Sequence, residues 1–368
     1  MGRALLTCIV AVTMLIGLGS IFFYRHISEN ITFLNIDDKI GDRPDKIAPG
    51  DPINVLIMGS DSRGGDEGVD QMKNGGARSD TTILMHLSSN RKFAYGISLP
   101  RDALVDRPEC ETDDGPVAAE DMVMFNTAFY YGGVACTVKT VEALTKVKID
   151  HWVVVNFNGF KDMVDAIGGV EVCVPEAVDD DRYNMHLEAG TQKIKGDDAL
   201  QYVRVRHGLG DGSDIGRMKR QQAFIASMAA QVVSAGTLTR VDRLVKFLNA
   251  ATSSLALDTG VGNVMSLAQL GNQFRGIGLE HIKFLTVPWM YYPEDPNRVI
   301  WKEKESKALW KRVREDKPLV KDFLDGAISA AKQPGAQPTK HHGQKSPTKT
   351  PTVDPDKAEQ AEADGLCA

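Results

Sequence analysis

The sequence predicts an α/β fold: a three-layer α/β/α domain with a central mixed sheet, preceded by one transmembrane helix. Two observations carry this reading. Short β-branched runs alternate with segments of helical spacing through most of the chain, the pattern of a layered α/β domain. Ahead of them, Ala4 to Tyr24 is a run of 21 residues without a charge, matching the ~20 that cross a bilayer as a helix.

Taken in order, residues 1–3 form a short cytoplasmic terminus and residues 4–24 an anchor. The apolar run is longer than the ~7 to 15 residues of a cleaved signal peptide's core, and no small-residue cleavage site follows it. Arg3 on one side and Arg25 and His26 on the other leave the positive-inside rule undecided. Residues 25–51, polar and carrying two prolines, read as a stalk. Residues 52–332 then form the folded domain. Ile53 to Met58, Thr82 to Leu87 and Ala94 to Leu99 read as buried strands. An acidic loop, Asp106 to Asp121, follows, then helical pieces at Thr127 to Gly133 and Thr137 to Val147. His151 to Phe157 and Val170 to Val174 are strands around a helix, Phe160 to Ile167. A long helix starts near Ile215, further helices cover Arg240 to Leu248 and Val261 to Phe274, Ile282 to Val287 is a last strand, and Trp301 to Arg314 closes the domain. Residues 333–368, with five prolines, bury too little apolar surface to offset ordering entropy and read as disordered.

Composition excludes some functions. At 368 residues and 42% hydrophobic content the chain can build a sizeable core, and its net charge of −6 argues against nucleic acid, which needs a basic face. The five cysteines, at 8, 110, 136, 173 and 367, lack CxxC spacing, which leaves a zinc site without support. Cys110 and Cys136 bracket one loop and are expected to pair, which favours an oxidising compartment and an outward-facing domain. Cys173 reads as a buried free thiol, and Cys367 lies in the tail.

The chemistry-bearing residues fall in two groups. Each early strand ends or begins in an aspartate and an arginine: Asp61 and Arg63, Arg78 and Asp80, Arg101 and Asp102. One such pair is ordinarily a surface ion pair of little worth, but three together point to an anion site, because guanidinium forks bind phosphate oxygens and carboxylates hold Mg2+. The second group is Arg204, Arg206, Asp214, Arg217 and Gln221. In an extended segment Arg204 and Arg206 would face one way, and Arg217 and Gln221 share a face near a helix N-terminus, which favours phosphate. Asp214 reads equally as a helix N-cap or as a general base.

With both groups in view, the chain resembles the LytR-CpsA-Psr family of cell-wall glycopolymer transferases between about Pro52 and Ala235. The motifs carrying the resemblance are Gly59-Ser60-Asp61-Ser62-Arg63, Ala77-Arg78-Ser79-Asp80-Thr81, Leu99-Pro100-Arg101-Asp102, Asn126-Thr127-Ala128-Phe129, Ile149-Asp150-His151, Gly168-Gly169-Val170-Glu171, Tyr202 to His207 and Asp214 to Gln222. The resemblance implies a membrane-anchored, extracytoplasmic enzyme that takes a phosphorylated glycopolymer from a polyprenyl pyrophosphate carrier and joins it to peptidoglycan through a phosphodiester. It implies that Asp61 and Asp80 hold Mg2+ and that Arg63, Arg78, Arg101, Arg204, Arg206, Arg217 and Gln221 grip the pyrophosphate; Asp80, Arg101 and Asp214 are the expected catalytic residues, Asp214 because it lies between the two arginine groups. It also implies an apolar channel for the lipid, with Phe224, Met228, Val232, Val264, Leu267 and Leu270 as lining residues that ordinary core packing explains as well. Met124 stands where the family commonly has lysine, and the loop from Asp61 to Asp80 is long. A pyrophosphatase acting on the same donor and a non-catalytic regulatory protein are the competing functions.

Overall fold

The computed structural model describes residues 14, 25, 28–61, 65–181, 184–206, 208–234, 241–331, 359–362 and 364–367. Its centre is an eight-stranded mixed sheet built from β1 (Thr32–Leu34), β2 (Ile53–Ser60), β3 (Ser79–Leu87), β4 (Ala94–Leu99), β5 (His151–Asn156), β6 (Leu255–Asp258), β7 (Ile282–Thr286) and β8 (Ile328–Ser329), in the order β1-β6-β5-β2-β3-β4-β7-β8. β2 runs antiparallel to β3 and β3 to β4, while β5 pairs parallel with β2 and β7 parallel with β4. The carboxyl ends of β2, β4, β5 and β7 therefore lie along one edge, together with the start of β3.

Alternation along the strands builds the layers. Leu56 and Met58 of β2, Leu84 of β3 and Ile97 of β4 face one side and pack with Phe129, Val134, Val138 and Val141 of α2 (Thr127–Thr145) and with Leu309, Trp310 and Val313 of a helix at Glu303–Arg314. Val55, Ile83 and Met85 face the other side, against Ala223 and Ala226 of α5 (Asp214–Ser234). Burial on both faces explains why the central strands read as continuous apolar runs. A third cluster, Val164, Val172, Met185, Leu187, Tyr202 and Phe224, joins α3 (Phe157–Ala166), α4 (Gly196–Arg204) and α5 to two small hairpins.

α2 is bent at Gly132 and Gly133, which leave helical geometry. Gly133 has φ +60, and a Cβ there would lie 2.1 Å from the carbonyl oxygen of Met72. Glycine is required because α1 (Gly65–Asn74), inside the long loop between Asp61 and Asp80, presses its backbone onto that bend.

Several expectations need correction. The stalk is not free: β1 adds to the sheet, and Leu34, Ile36 and Ile40 enter the main core, their apolar side chains offsetting the polar composition around them. The acidic loop 106–121 folds into hairpins that pair 104–107 with 120–124 and 110–112 with 115–117. Trp301 ends a strand, Asp295–Trp301, and the helix begins at Glu303. The Cys110–Cys136 disulfide forms as expected. Cys173 is not a free thiol, however: it is bonded to Cys367, and the end of the tail is docked, with Leu366 packed beside Ala223 and Ala226. One apolar residue and one disulfide suffice to anchor a segment whose composition alone cannot.

The channel candidates separate. Phe224, Met228 and Val232 belong to the α3–α5 cluster, Leu270 packs under α5, and Leu267 packs near β6. The side chain of Val264 lies outside the described residues, as does the anchor run 4–24 except Met14. Among the described residues no helix is long and apolar enough to cross a membrane.

Candidate active site

The site lies at the carboxyl ends of the parallel strands, the edge at which open α/β sheets hold ligands. Where the register of β2 and β3 shifts at Gly59/Ser60, Asp61 and Arg78 face each other. The Arg78 amide donates to Asp61 Oδ1 at 2.7 Å, and the Asp61 amide to the Arg78 carbonyl at 3.3 Å. Asp80 follows on β3. Arg101 and Asp102 leave β4 and are held against the start of α2 by the Asn126 amide, which donates to the Arg101 carbonyl at 3.0 Å.

α5 closes the site from the other side. The Gly216 amide donates to Ser213 Oγ at 2.9 Å, so Ser213 is the N-cap and Asp214 opens the first turn. The capping explanation for Asp214 therefore falls, and its carboxylate is free to face the arginines. Arg217 Nη2 donates to Asp214 Oδ1 at 2.5 Å, and Arg206 Nη2 lies 3.3 Å and Arg101 Nε 3.5 Å from the same oxygen. Asp102 Oδ2 lies 3.4 Å from Arg101 Nε and 3.6 Å from Arg206 Nη2, and Arg101 Nη1 donates to Asp80. Three arginines thus interleave with three aspartates.

Burial sets the electrostatics. Loss of solvent pushes the Asp214 carboxyl above the usual carboxylate range, with Arg217 and Arg101 pulling the other way and Asp80 adding repulsion. Asp102 is raised by burial and by Asp214, against Arg101 and Arg298. Arg217 is lowered by its own burial despite Asp214, so burial disfavours charge on both partners of that pair more than their attraction compensates. Arg101 is burdened by burial but carried upward by Asp102, Asp214 and Asp80. Asp214 Oδ2, Arg206 Nη2 and Arg217 Nε are buried without a hydrogen-bond partner, and unpartnered polar atoms together in one site call for a ligand.

The remaining expected residues are arranged differently. Arg78 lies over the Tyr130 ring at 5.7 Å and Arg204 over the Phe157 ring at 4.4 Å. The segment carrying Arg204 and Arg206 is not extended, because α4 runs through Arg204 and only then releases the chain. Only Arg206 of the two reaches the aspartates. Gln221 donates to the Val203 carbonyl at 2.9 Å, which ties α5 to the end of α4. Arg63 and His207 lie outside the described residues. Met124 gives its carbonyl to Thr127 Oγ1 and brings no charge.

Sequence reasoning paired Asp102 with Arg101 but gave it no role of its own, and it left out Arg298 and Tyr130. Asp102 stood in a quoted motif and was legible as the neighbour of Arg101, whereas nothing local marks Arg298, which arrives on the strand 295–301 through a bridge from Val299 to Ala103. Nothing in the sequence marks the role of Arg220 either, which is fully buried and donates to the carbonyls of Val205, Leu209 and Asp364. Among the described residues, a trio of groups spaced for a metal occurs at Asp179, Asp181 and His186, all exposed on a separate hairpin.

Arginine forks alternating with carboxylates at the carboxyl ends of parallel strands are a donor set whose geometry suits phosphate-like anions. The chain belongs to the LytR_cpsA_psr family, whose sequence model matches residues 25–315. It is 33% identical over 270 residues, 71% of this chain and 61% of that protein, to the probable cell wall biosynthesis protein LcpB of Corynebacterium glutamicum. It is 25% identical over 332 residues, 88% of this chain and 78% of that protein, to the polyisoprenyl-teichoic acid–peptidoglycan teichoic acid transferase TagV of Bacillus subtilis. The chain thus spans about three fifths of the length of the first of these. Among solved structures, a LytR-Csp2A-Psr enzyme from Actinomyces oris matches with a TM-score of 0.58 at 23% identity, over 77% of this chain and 95% of that one. TagT bound to LIIa-WTA matches with a TM-score of 0.54 at 24% identity, over 77% and 98%. These structural likenesses carry the fold.

Proposed function

We propose that this chain is a phosphotransferase of cell-wall assembly that moves a phosphorylated glycopolymer from a polyprenyl pyrophosphate carrier onto peptidoglycan. The observation that carries the reading is the interleaved cluster of Arg101, Arg206 and Arg217 with Asp80, Asp102 and Asp214, holding buried polar atoms without partners. Relatives named as teichoic acid transferases and as cell wall biosynthesis proteins support it.

In this reading an acceptor hydroxyl oxygen attacks the glycan-bearing phosphorus, the bond from that phosphorus to the bridging oxygen breaks, and polyprenyl phosphate leaves. Asp214, with its raised pKa, takes the hydroxyl proton. The arginines receive the charge that spreads over the phosphoryl oxygens. Asp61 and Asp80 offer oxygen donors from adjoining strand ends, a set suited to a hard cation, and are the residues that would hold Mg2+. When bound, that ion would neutralise charge on the pyrophosphate. Residues 4–24 anchor the protein with the domain outside the membrane, and the two disulfides among the described residues suit an oxidising compartment.

The test uses lipid-linked donor labelled in its glycan. Label appearing covalently in peptidoglycan supports the transferase, label released as soluble polymer makes the protein a pyrophosphatase, and no turnover favours a regulatory or polymer-binding role. Protease applied to intact cells should digest the domain.

A further inference from the structure

The hairpins of residues 104–124 and the start of α2 line an open cleft of about 260 Å³ formed by Arg107, Val117, Ala118, Ala119, Glu120 and Tyr131. Its composition differs from that of the phosphate site. Tyr131 is 47% exposed and stands edge-to-face with the exposed Tyr130 at 5.0 Å. Two large aromatic rings kept side by side in water on a rigid helix turn are unusual for a surface that contacts nothing. Arg107 is 4% exposed; its Nη2 donates to the Ala118 carbonyl and to Glu120 Oε2, both at 3.1 Å, while Nε and Nη1 are buried without an acceptor. Donors left in that state destabilise the empty site and are relieved when an acceptor arrives.

The cleft has a chemical signature. Glu120 balances the charge of Arg107, so a phosphate or carboxylate would have to displace an existing partner. An uncharged polyol would not: its hydroxyls can donate to Glu120 and accept from Arg107. Its C–H faces can lie on Tyr131 and on the apolar floor of Val117, Ala118 and Ala119. That combination of planar polar groups, an aromatic face and a small apolar floor fits a sugar ring.

The cleft is also fixed relative to the reaction site. Arg107 lies over the Tyr131 ring at 5.3 Å and Arg78 over the Tyr130 ring at 5.7 Å, so a continuous row runs from the cleft to Asp61. The Cys110–Cys136 disulfide fastens the hairpin that supplies Val117 to the helix that supplies Tyr131. At Gly132, beside Tyr131, a Cβ would lie 3.3 Å from that of Cys110 on the hairpin, so the two walls are set by covalent and steric contact.

We propose that this cleft is a subsite for a neutral sugar ring of the acceptor glycan strand, which docks there while a neighbouring ring presents its hydroxyl to the cluster. The inference rests on the transferase reading. The experiment measures binding of a soluble β-1,4-linked N-acetylglucosamine tetramer to the full chain in detergent, alongside transfer kinetics with peptidoglycan as acceptor. Tyr131→Ala should weaken tetramer binding at least tenfold and raise the acceptor KM by a similar factor, with kcat at saturating acceptor changed less than twofold. Tyr131→Phe, which keeps the ring, should stay within about twofold of the native protein, and Glu120→Gln should weaken binding severalfold. Native binding that Tyr131→Ala leaves untouched, or no native binding at all, overturns the subsite. Tetramer binding that depends on Tyr131 in a protein that cleaves donor without joining it to peptidoglycan would instead retain the sugar site and overturn the transferase reading.

Discussion

Removing the Cys173–Cys367 disulfide should do more damage than removing Cys110–Cys136. The two bonds span 194 and 26 residues of sequence, and in the chain-entropy model loops of those lengths give about 5 and about 3.5 kcal/mol of stabilisation. For a domain of this size, a shift of roughly 2–4 °C per kcal/mol is expected, which places the Cys173→Ala/Cys367→Ala protein at least 10 °C below the native chain. The loss has a local side as well. Leu366 is buried against Ala223 and Ala226, and Arg220 donates to the Asp364 carbonyl at 3.3 Å while also holding the carbonyls of Val205 and Leu209. Undocking the terminal segment therefore loosens the stretch that carries Arg206, and the donor KM should rise severalfold. Scanning calorimetry of the two double-alanine proteins, with and without reductant, reads the order directly. If the Cys173/Cys367 variant melts within 2 °C of the native protein, or above the Cys110/Cys136 variant, the terminal segment is not fastened to the domain in the way described.

Three further outcomes are expected. Arg101→Ala should lower turnover by about 10²- to 10³-fold, as loss of one donor to a transition-state oxyanion does. It should also destabilise the unliganded fold at pH 7, because Asp80, Asp102 and Asp214 lose a shared partner; thermal melts at pH 7 and pH 5 should show the deficit shrinking as Asp102 and Asp214, both raised by burial, take up protons. In the native enzyme, activity should fall as pH drops through the raised pKa of Asp214, above the ordinary carboxylate range. The stability sign is opposite: between the ordinary and the raised value the folded chain holds a proton that the unfolded chain releases, so this residue's contribution is lost as pH rises. Asp214→Asn should cut turnover by about 10²- to 10⁴-fold and remove that acid limb, and a variant that keeps both rate and profile would show that the base lies elsewhere. Asp80→Asn should abolish any Mg2+ dependence together with activity, and calorimetric titration of Mg2+ into the donor-bound protein should lose its heat.

Much of the fold was legible because its signals are local. Ile53 to Met58, Thr82 to Leu87 and Ala94 to Leu99 are buried on both faces, and such strands cannot hide in a sequence. What escaped notice was the part whose burial depends on distant partners. Thr32–Leu34 is three residues long, and only the presence of Leu255–Asp258 beside it makes it a strand. Cys367 follows a long polar tail, and its pairing with Cys173 joins positions that no periodicity relates. Gly132 and Gly133 do interrupt the helix, as two glycines usually mean, but nothing in the sequence showed that α1 crosses at that break.

The site shows the same division, with a consequence for its chemistry. The sequence supplied the arginines and pointed to a bound anion as the group that would neutralise them. In the folded chain the aspartates beside those arginines in the motifs do that work themselves: Asp102 and Asp214 are drawn among Arg101, Arg206 and Arg217 at 2.5–3.6 Å. A site neutralised by its own carboxylates costs less to keep folded than one of bare positive charge. On the proposed reading it would bind an anion by exchange rather than by simple attraction, since a pyrophosphate would have to take guanidinium contacts that carboxylates now hold. The carboxylates released by that exchange are already reluctant to ionise, because burial raises both Asp102 and Asp214. Displacing their arginine partners raises them further. On that reading anion binding itself would turn these aspartates into stronger proton acceptors, which would tie the gripping of the donor to the readiness of the base.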